Sequence, residues 1–512
     1  MANIRKGEGG YYHPGTEDEV RELILHAREE GKLIRVRGSG HSASPAIYTS
    51  DDLPSPGDRP GPPDDGNLNL LLDRMRAVLS WDDATMCVTV QAGCHLGVDP
   101  SDPSHSSTTA NSLFHWLDHH GWALPDTGGI SHQTVGGFLS TGSSGSSIHH
   151  SVSRQLRGLR IIDGTGEVID LDETDERFHA AGVSLGLLGI IVRVTFQCVK
   201  AFNIWGVQTT TSLDECAIDL FGEGSPKRPS LAQFFQDAEH TRLMWWPQKG
   251  VDRMEVWKAR TIPLEPGFVP HPYEEFPLIG SGQFAEKIGG VVLRLFSWWI
   301  LPGLLGGITR FFLRTLYPFI VRLFEPVDGK EGPELFQDSW WHGLPMDNEA
   351  NDQLMPIHFT EVWIPVERCR EVMQALRKVY AENGIWASGT TSTEIYPTPA
   401  SKFWMSPAYQ RDVVKIDVFW FGANKGDPIA LFYPQFWDTL KPFGFRAHWA
   451  KYLPFKSDAP TEWLDYLRPQ YPRWNDFMAL RARMDPAQVF VTDYWRTHLG
   501  IPPRGSLQNG WP

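Results

Sequence analysis

The chain has 512 residues, with 47 Lys+Arg against 61 Asp+Glu and a formal net charge of −14. That balance argues against general nucleic-acid binding, which needs a basic face. Hydrophobic residues make up 41% and charged residues 21%, enough for a sizeable core spread over about two to four domains. The five cysteines, Cys87, Cys94, Cys198, Cys216 and Cys369, are odd in number and dispersed. Without C-x-x-C spacing they suit a reducing compartment and speak against a zinc site or a disulfide framework. The first residues lack the apolar run of a secretory signal, so the expected location is cytoplasmic, with no metal site.

Residues 16–32 read as a helix. Thr16 is a suitable N-cap, acids fill the first turn, and Val20, Leu23, Ile24 and Ala27 share one face. A short strand, Leu33 to Val36, runs into Arg37-Gly-Ser-Gly-His-Ser42. Its glycines allow a tight turn with exposed N–H groups, a nest suited to a diphosphate, and His41 stands at its lip as base, ligand or nucleophile. The turn opens no G-x-G-x-x-G helix and has no G-K-[ST]. Phosphates bound here would be held by turn N–H groups without a helix terminus.

Residues 54–66 read as a proline-glycine surface loop, Met86 to Ala92 as a strand, and Ser112 to His120 as a short helix stopped by Gly121. Residues 127–147 are dominated by small side chains around Ile130, Val135, Phe138 and Leu139. A flexible linker is one reading; a backbone pressed against a flat ligand is the favoured one. Leu159–Ile162 and Val168–Asp170 flank the turn Asp163-Gly-Thr-Gly166, a hairpin signal, and Gly186 to Thr195 closes with a buried strand.

Beyond residue 200 the texture changes. Most of the 21 tryptophans lie here, as core packing or as walls of a large pocket. Residues 285–325 are apolar and aromatic, broken by Lys287, Arg294, Arg310, Arg314 and Arg322. The uncharged run Leu295 to Thr309, with Pro302 and several glycines, falls short of the roughly 20 apolar residues of a spanning helix. A buried helical hairpin, an amphipathic pair on a membrane or the lining of an apolar entrance remain open. A helix end near Gly384 leads into a strand-like run to Glu394. Val413 to Phe421 reads as a strand and Trp474 to Met484 as a helix ended by Asp485-Pro486.

Four stretches, in order, resemble the vanillyl-alcohol-oxidase superfamily of FAD enzymes, above all its aldonolactone and alditol oxidases. They are Arg37–Ser42; Gly129–Gly137 with Thr141–Gly145; Thr393-Glu-Ile395 with Trp404–Asp412; and His448-Trp-Ala-Lys451 with the tail Arg481–Phe490. The resemblance implies an α+β, two-domain PCMH-type FAD-binding fold with an antiparallel-sheet cap. The FAD domain would take residues 1–200 and the cap 201–440, with an apolar insertion near 261–345. Residues 441–512 would return to the FAD domain.

By the same resemblance His41 carries FAD covalently, and His448 lies near the flavin. Arg37, Gly38, Ser39, Gly40, Ser42, Gly128, Gly129, Thr134, Gly137, Thr141, Gly142, Ser143, Ser144, Gly145 and Ile191 complete the cofactor-binding set. Four or five N–H bonds to the diphosphate, at about 1.5–3 kcal/mol each, can hold it. The implied reaction moves hydride from a CH–OH carbon to flavin N5, with O2 as acceptor giving H2O2. Lys451 would stabilise the alkoxide or accept its proton, and Glu394 would bond a substrate hydroxyl or tune Lys451.

Two departures stand out. Tyr396 occupies a place where relatives usually carry arginine, and Ser144 one where they carry histidine. Losing the arginine removes a fixed bidentate cation, which shifts the expected substrate from a polar lactone or polyol towards a bulkier, less polar alcohol. Gly128 stands where small residues gate oxygen in relatives, so an oxidase is expected. No cysteine lies between Gly128 and Gly137, so a doubly tethered flavin is not. The competing readings are a membrane-associated dehydrogenase passing electrons to a quinone, docked through 285–325, and a non-catalytic binding protein.

Overall fold

The computed structural model describes residues 6–50, 61–273, 290–328, 332–346 and 356–504. The expected loop at 54–66 and the insertion near 261–345 therefore fall partly outside the described residues.

The N-terminal half builds on a five-stranded antiparallel sheet. In spatial order its strands are Val78–Asp82, Cys87–Gln91, Ile190–Gln197, Leu156–Ile162 and Val168–Asp172. The helix Glu17–Glu29 forms as its pattern predicts: the Thr16 hydroxyl accepts from Glu19 N at 3.2 Å, and Val20, Leu23, Ile24 and Ala27 are buried. The Asp163 carboxylate accepts from Thr165 N and Glu167 N, fixing the turn that sets the register Ile162 opposite Val168.

Beside this sheet, Ile34–Val36 pairs in parallel with Leu68–Leu70 and delivers the His41 turn. Arg35, 6% exposed, anchors that strand. Its guanidinium donates to the carbonyls of Ala46 (2.6 Å), Leu185 (3.1 Å), Gly186 (3.2 Å) and Phe490 (3.2 Å). The C-terminal segment thus packs back on the N-terminal half, and Trp495 Nε1 adds a 3.1 Å bond to Ala46 O.

The second sheet has eight strands, all neighbours antiparallel. Its order is Glu334–Ser339, Asn203–Thr211, Arg253–Ile262, His240–Trp246, Thr393–Thr398, Val413–Phe421, Ile357–Pro365 and Arg446–Ala447. Successive side chains along a strand point to opposite faces. Val414, Ile416, Val418 and Trp420 therefore share a buried apolar face. Helices that contact this sheet include Cys369–Asn383, whose Tyr380 hydrogen-bonds Thr393 across 3.0 Å, and Tyr433–Leu440, whose Trp437 donates to Thr360 at 2.9 Å. Lys415, Asp417 and Phe419 point the other way.

Most tryptophans serve the core: Trp257, Trp299, Trp340, Trp363, Trp420 and Trp437 are fully buried. Trp246 is one that lines a cavity.

The linker reading of 127–147 is overturned. Val135–Ser140 is a helix capped by Thr134, with Val135, Phe138 and Leu139 buried. The buried-hairpin reading of 285–325 is also overturned within the described residues. Helices Gly303–Thr315 and Tyr317–Phe324 meet at a 48° bend and expose Leu304, Leu305, Phe311, Phe312 and Phe319.

Candidate active site

Two adjoining cavities meet at His41. The first, about 130 Å³, is lined by the whole Arg37–Ser42 turn and by Thr134, Gly137, Thr141, Ser143 and Ile191. The second, about 440 Å³, lies under the eight-stranded sheet and takes in Gly128, Gly129, Ser144, Glu394, Tyr396 and His448. Gly40, His41, Ser42, Ser143 and Lys451 border both. Of the residues the sequence singled out, Gly142 and Gly145 line neither.

The first cavity fits a diphosphate. Gly40 adopts φ +80°, a conformation that disfavours a Cβ. A Cβ on Gly38 would stand 2.5 Å from the Thr134 hydroxyl. The turn therefore passes against the start of the Val135–Ser140 helix, whose Gly136 and Gly137 line the same space. The expected absence of a helix terminus is corrected here: the helix begins beside the turn. Arg37 is 5% exposed, and its Nε and Nη1 are buried with no hydrogen-bond partner among the described residues. A buried guanidinium left short of acceptors is costly, and an anionic group in this cavity would relieve it. The Ser39 hydroxyl donates to His132 O at 2.6 Å, and the His132 ring lies 5.6 Å from that of His41.

Gly145 matters for a different reason. A Cβ there would collide with the Thr127 carbonyl and the Asp126 carboxylate. Gly145→Ala is expected to cost about 1–3 kcal/mol by overpacking, read as a lower midpoint in denaturant. An unchanged midpoint would mean the loop has room to move.

The second cavity carries a row of three buried carboxylates. Glu361 and Glu394 sit directly opposite Asp417 on its two neighbouring strands, at 3%, 8% and 1% exposure respectively. Like charges opposite one another on a sheet repel. Burial first, then Glu361 and Glu394, push the Asp417 carboxyl well above the usual carboxylate range, against the pull of Lys451 and Lys415. Burial and its two carboxylate neighbours therefore dispose Asp417 to hold a proton. Tyr396 Oη donates to Asp417 Oδ2 at 3.1 Å, and Oδ1 has no hydrogen-bond partner among the described residues.

Cations balance the row. Arg242 Nη1 approaches Glu394 at 3.9 Å, so Glu394 has an arginine partner from the neighbouring strand His240–Trp246. The Lys451 ammonium lies 3.7 Å over the Phe359 ring and borders both cavities. Its loop is tied to the His41 turn by Ala43 N donating to Ala450 O at 2.7 Å. Burial pushes the His448 imidazole down to about 4, so it is neutral, and its Nδ1 accepts from Ala450 N at 3.0 Å.

Sequence reasoning missed Glu361, Asp417 and Lys415. Lys415 is fully buried and bonds Ser144 Oγ (3.0 Å), Ser144 O (3.2 Å) and Gly145 O (2.6 Å). Its ammonium lies 3.8 Å over the Tyr396 ring. Both departures from the family pattern, Tyr396 and Ser144, therefore meet at one cation. Burial lowers Lys415 to about 8, opposed by Glu361, Asp417 and Asp126. The available signal was charge on a buried strand: Lys415 and Asp417 interrupt an otherwise apolar run from Val413 to Phe421.

Comparisons with known proteins agree with this geometry. The D-arabinono-1,4-lactone oxidase family matches residues 194–498, and the FAD binding domain family matches residues 9–98 and 105–172. L-gulonolactone oxidase of Mus musculus is 26% identical, over 94% of this chain and 93% of its own length. D-arabinono-1,4-lactone oxidase of Eremothecium gossypii is 27% identical, over 96% of this chain and 93% of its own. Among solved structures, one titled solvent-stable cholesterol oxidase superposes with a TM-score of 0.69 over 98% of this chain and 99% of its own. At 15% identity that likeness shows the fold alone. With a cradle shaped for a diphosphate, a cavity holding buried carboxylates beyond it and these matches, the chain belongs to the D-arabinono-1,4-lactone oxidase family and is an FAD-dependent oxidoreductase.

Proposed function

We propose that the protein oxidises the CH–OH carbon of a hydroxylated substrate, of lactone, polyol or bulkier alcohol type, with O2 as electron acceptor. The observation that carries this is the meeting of the two cavities at His41, with Lys451 bordering both. FAD, when bound, would supply the two-electron acceptor for the hydride, with O2 as the final oxidant and H2O2 as its product. The Arg37–Ser42 turn, Thr134, Gly137, Thr141 and Ser143 would hold it, with Ile191 against it and His41 as its covalent tether.

The chain's own groups divide the remaining work. Lys451 stabilises negative charge developing on the substrate oxygen as its proton passes to a carboxylate of the row. Glu394 accepts from a substrate hydroxyl, and Asp417, whose carboxyl is pushed towards its protonated form, would donate from the same row. Tyr396, bonded to Asp417, presents its ring as a wall rather than a cation. Gly128 and Gly129 line this cavity, and O2 would reach the flavin past them; a Cβ on Gly128 would meet Gln133 Oε1 at 2.9 Å and the Phe138 ring at 3.1 Å. The lactones named for the relatives have several hydroxyls that suit such a row of carboxyl groups. A cytoplasmic location fits the five cysteines, all of them free thiols.

The experiment has two readouts. Acid-precipitated protein should be yellow, while His41→Ala should release its flavin to the supernatant; colourless precipitate from the parent protein defeats the tether. Peroxide should appear one for one with substrate oxidised. Reoxidation in air slower than about one per second, well below the median enzyme turnover, would replace the oxidase by a dehydrogenase.

A further inference from the structure

The stretch 290–324 holds four arginines and no acidic residue or lysine, in a chain whose net charge is −14. Its two helices are apolar on both sides. Inward, Tyr317, Ile320, Val321 and Phe324 form one stripe of the Tyr317–Phe324 helix and line the 440 Å³ cavity. Outward, Leu304 is 79% exposed, Phe319 69% and Phe311 63%, and Leu295, ahead of the pair, is 71% exposed. Arg294 and Arg314 stand exposed among them.

A helix apolar all round is buried or meets lipid, and a contiguous exposed apolar patch marks an interaction surface. Among the described residues no single helix is long and apolar enough to cross a membrane, and the pair is bent by 48°. Apolar faces edged by arginine, too short to span, suit the headgroup boundary of a bilayer, and the cationic excess suits anionic lipid.

We propose that this helical pair docks the protein on an anionic lipid surface. Resting on the redox reading above, we further infer that the substrate is an amphiphilic alcohol drawn from that surface. Its apolar body lies along Tyr317, Ile320, Val321 and Phe324, and its hydroxyl end reaches Lys451 and the carboxyl row. The cavity is continuous between these two ends, and the same helix presents its other face outward.

The full-length flavoprotein would be tested on vesicles of phosphatidylcholine with and without phosphatidylglycerol. Partition should require phosphatidylglycerol, weaken with salt, and fall at least about tenfold in the double variant Phe311→Glu, Phe319→Glu, since each phenylalanine loses its apolar burial. No partition by the parent protein, or equal partition by the variant, overturns docking. So does a parent dimer that the variant converts to monomer, because a second copy would then be the occupant.

The substrate half is read by peroxide release from a vesicle-borne alkylglycerol and from a water-soluble aldonolactone. Turnover of the lipid probe that drops about tenfold in the double variant, with lactone turnover or flavin content unchanged, supports it; tenfold is the loss of about 1.4 kcal/mol of partition. Turnover of the lactone alone overturns delivery from the bilayer but leaves the redox reading standing. Peroxide from neither probe overturns both, while partition still decides docking by itself.

Discussion

Lys451→Met is expected to lower kcat by about 10²–10³-fold, the usual effect of removing one preorganised group that meets developing charge. The side chain borders both cavities, and its ammonium packs on Phe359. A cation held there acts on charge that exists only as the alcohol proton departs, so kcat and kcat/KM should fall together. Flavin content should stay at the parent level, because Ala43 N bonds the backbone of Ala450 and not the lysine side chain. Methionine keeps the length and apolar stem without the charge. A loss of less than about threefold, small beside this class of effect, would assign the charge stabilisation to another group.

Lys415→Met should separate activity from stability. Lys415 lies outside the cavity lining, behind Tyr396, so it acts as a positioning residue: it holds Ser144 and Gly145 in place and sets the charge felt by Asp417. Without it the Asp417 carboxyl rises further and the loop that borders the cavity loosens. A fall of about 10–100-fold in kcat/KM, or about 1.4–2.7 kcal/mol, is expected.

Stability should change much less. Burial lowers Lys415 from 10.5 to about 8, an unfavourable term of order 3 kcal/mol at neutral pH. Methionine removes that term while losing the hydrogen bonds. The sign follows from proton counts. Between about pH 8 and 10.5 the folded protein holds fewer protons here than the unfolded chain. The term is thus present in full below pH 8 and relieved as pH rises towards 10.5. Activity should run the other way, falling as pH rises through about 8, where the folded protein loses this cation. In Lys415→Met that limb should vanish, whereas Lys415→Arg, always charged, should push it upward. A limb near pH 8 that persists in both variants would assign it elsewhere.

The local chemistry of the cofactor turn was legible in the sequence. The strand ending at Val36, the glycines at 38 and 40 and the histidine at 41 are neighbours in the chain, so their geometry follows from backbone preferences. The Thr16 cap, the Asp163 turn and the Val413–Phe421 strand are legible for the same reason: each depends on residues a few positions apart. Order and spacing of the four motifs carried the family, and with it the cap sheet.

Tertiary structure alone decided the rest. Glu361, Asp417 and Glu394 form a row only because three strands pair in one register, and a shift of one residue would turn each to the other face. Lys415 reaches Ser144 across 271 positions, which is how two separate departures from the family pattern become one contact. The insertion read as apolar from its composition, but only the packed cavity showed which stripe faces inward. Chain-local preferences set turns and caps, whereas the charge balance of a buried site depends on which distant side chains share one poorly solvated space.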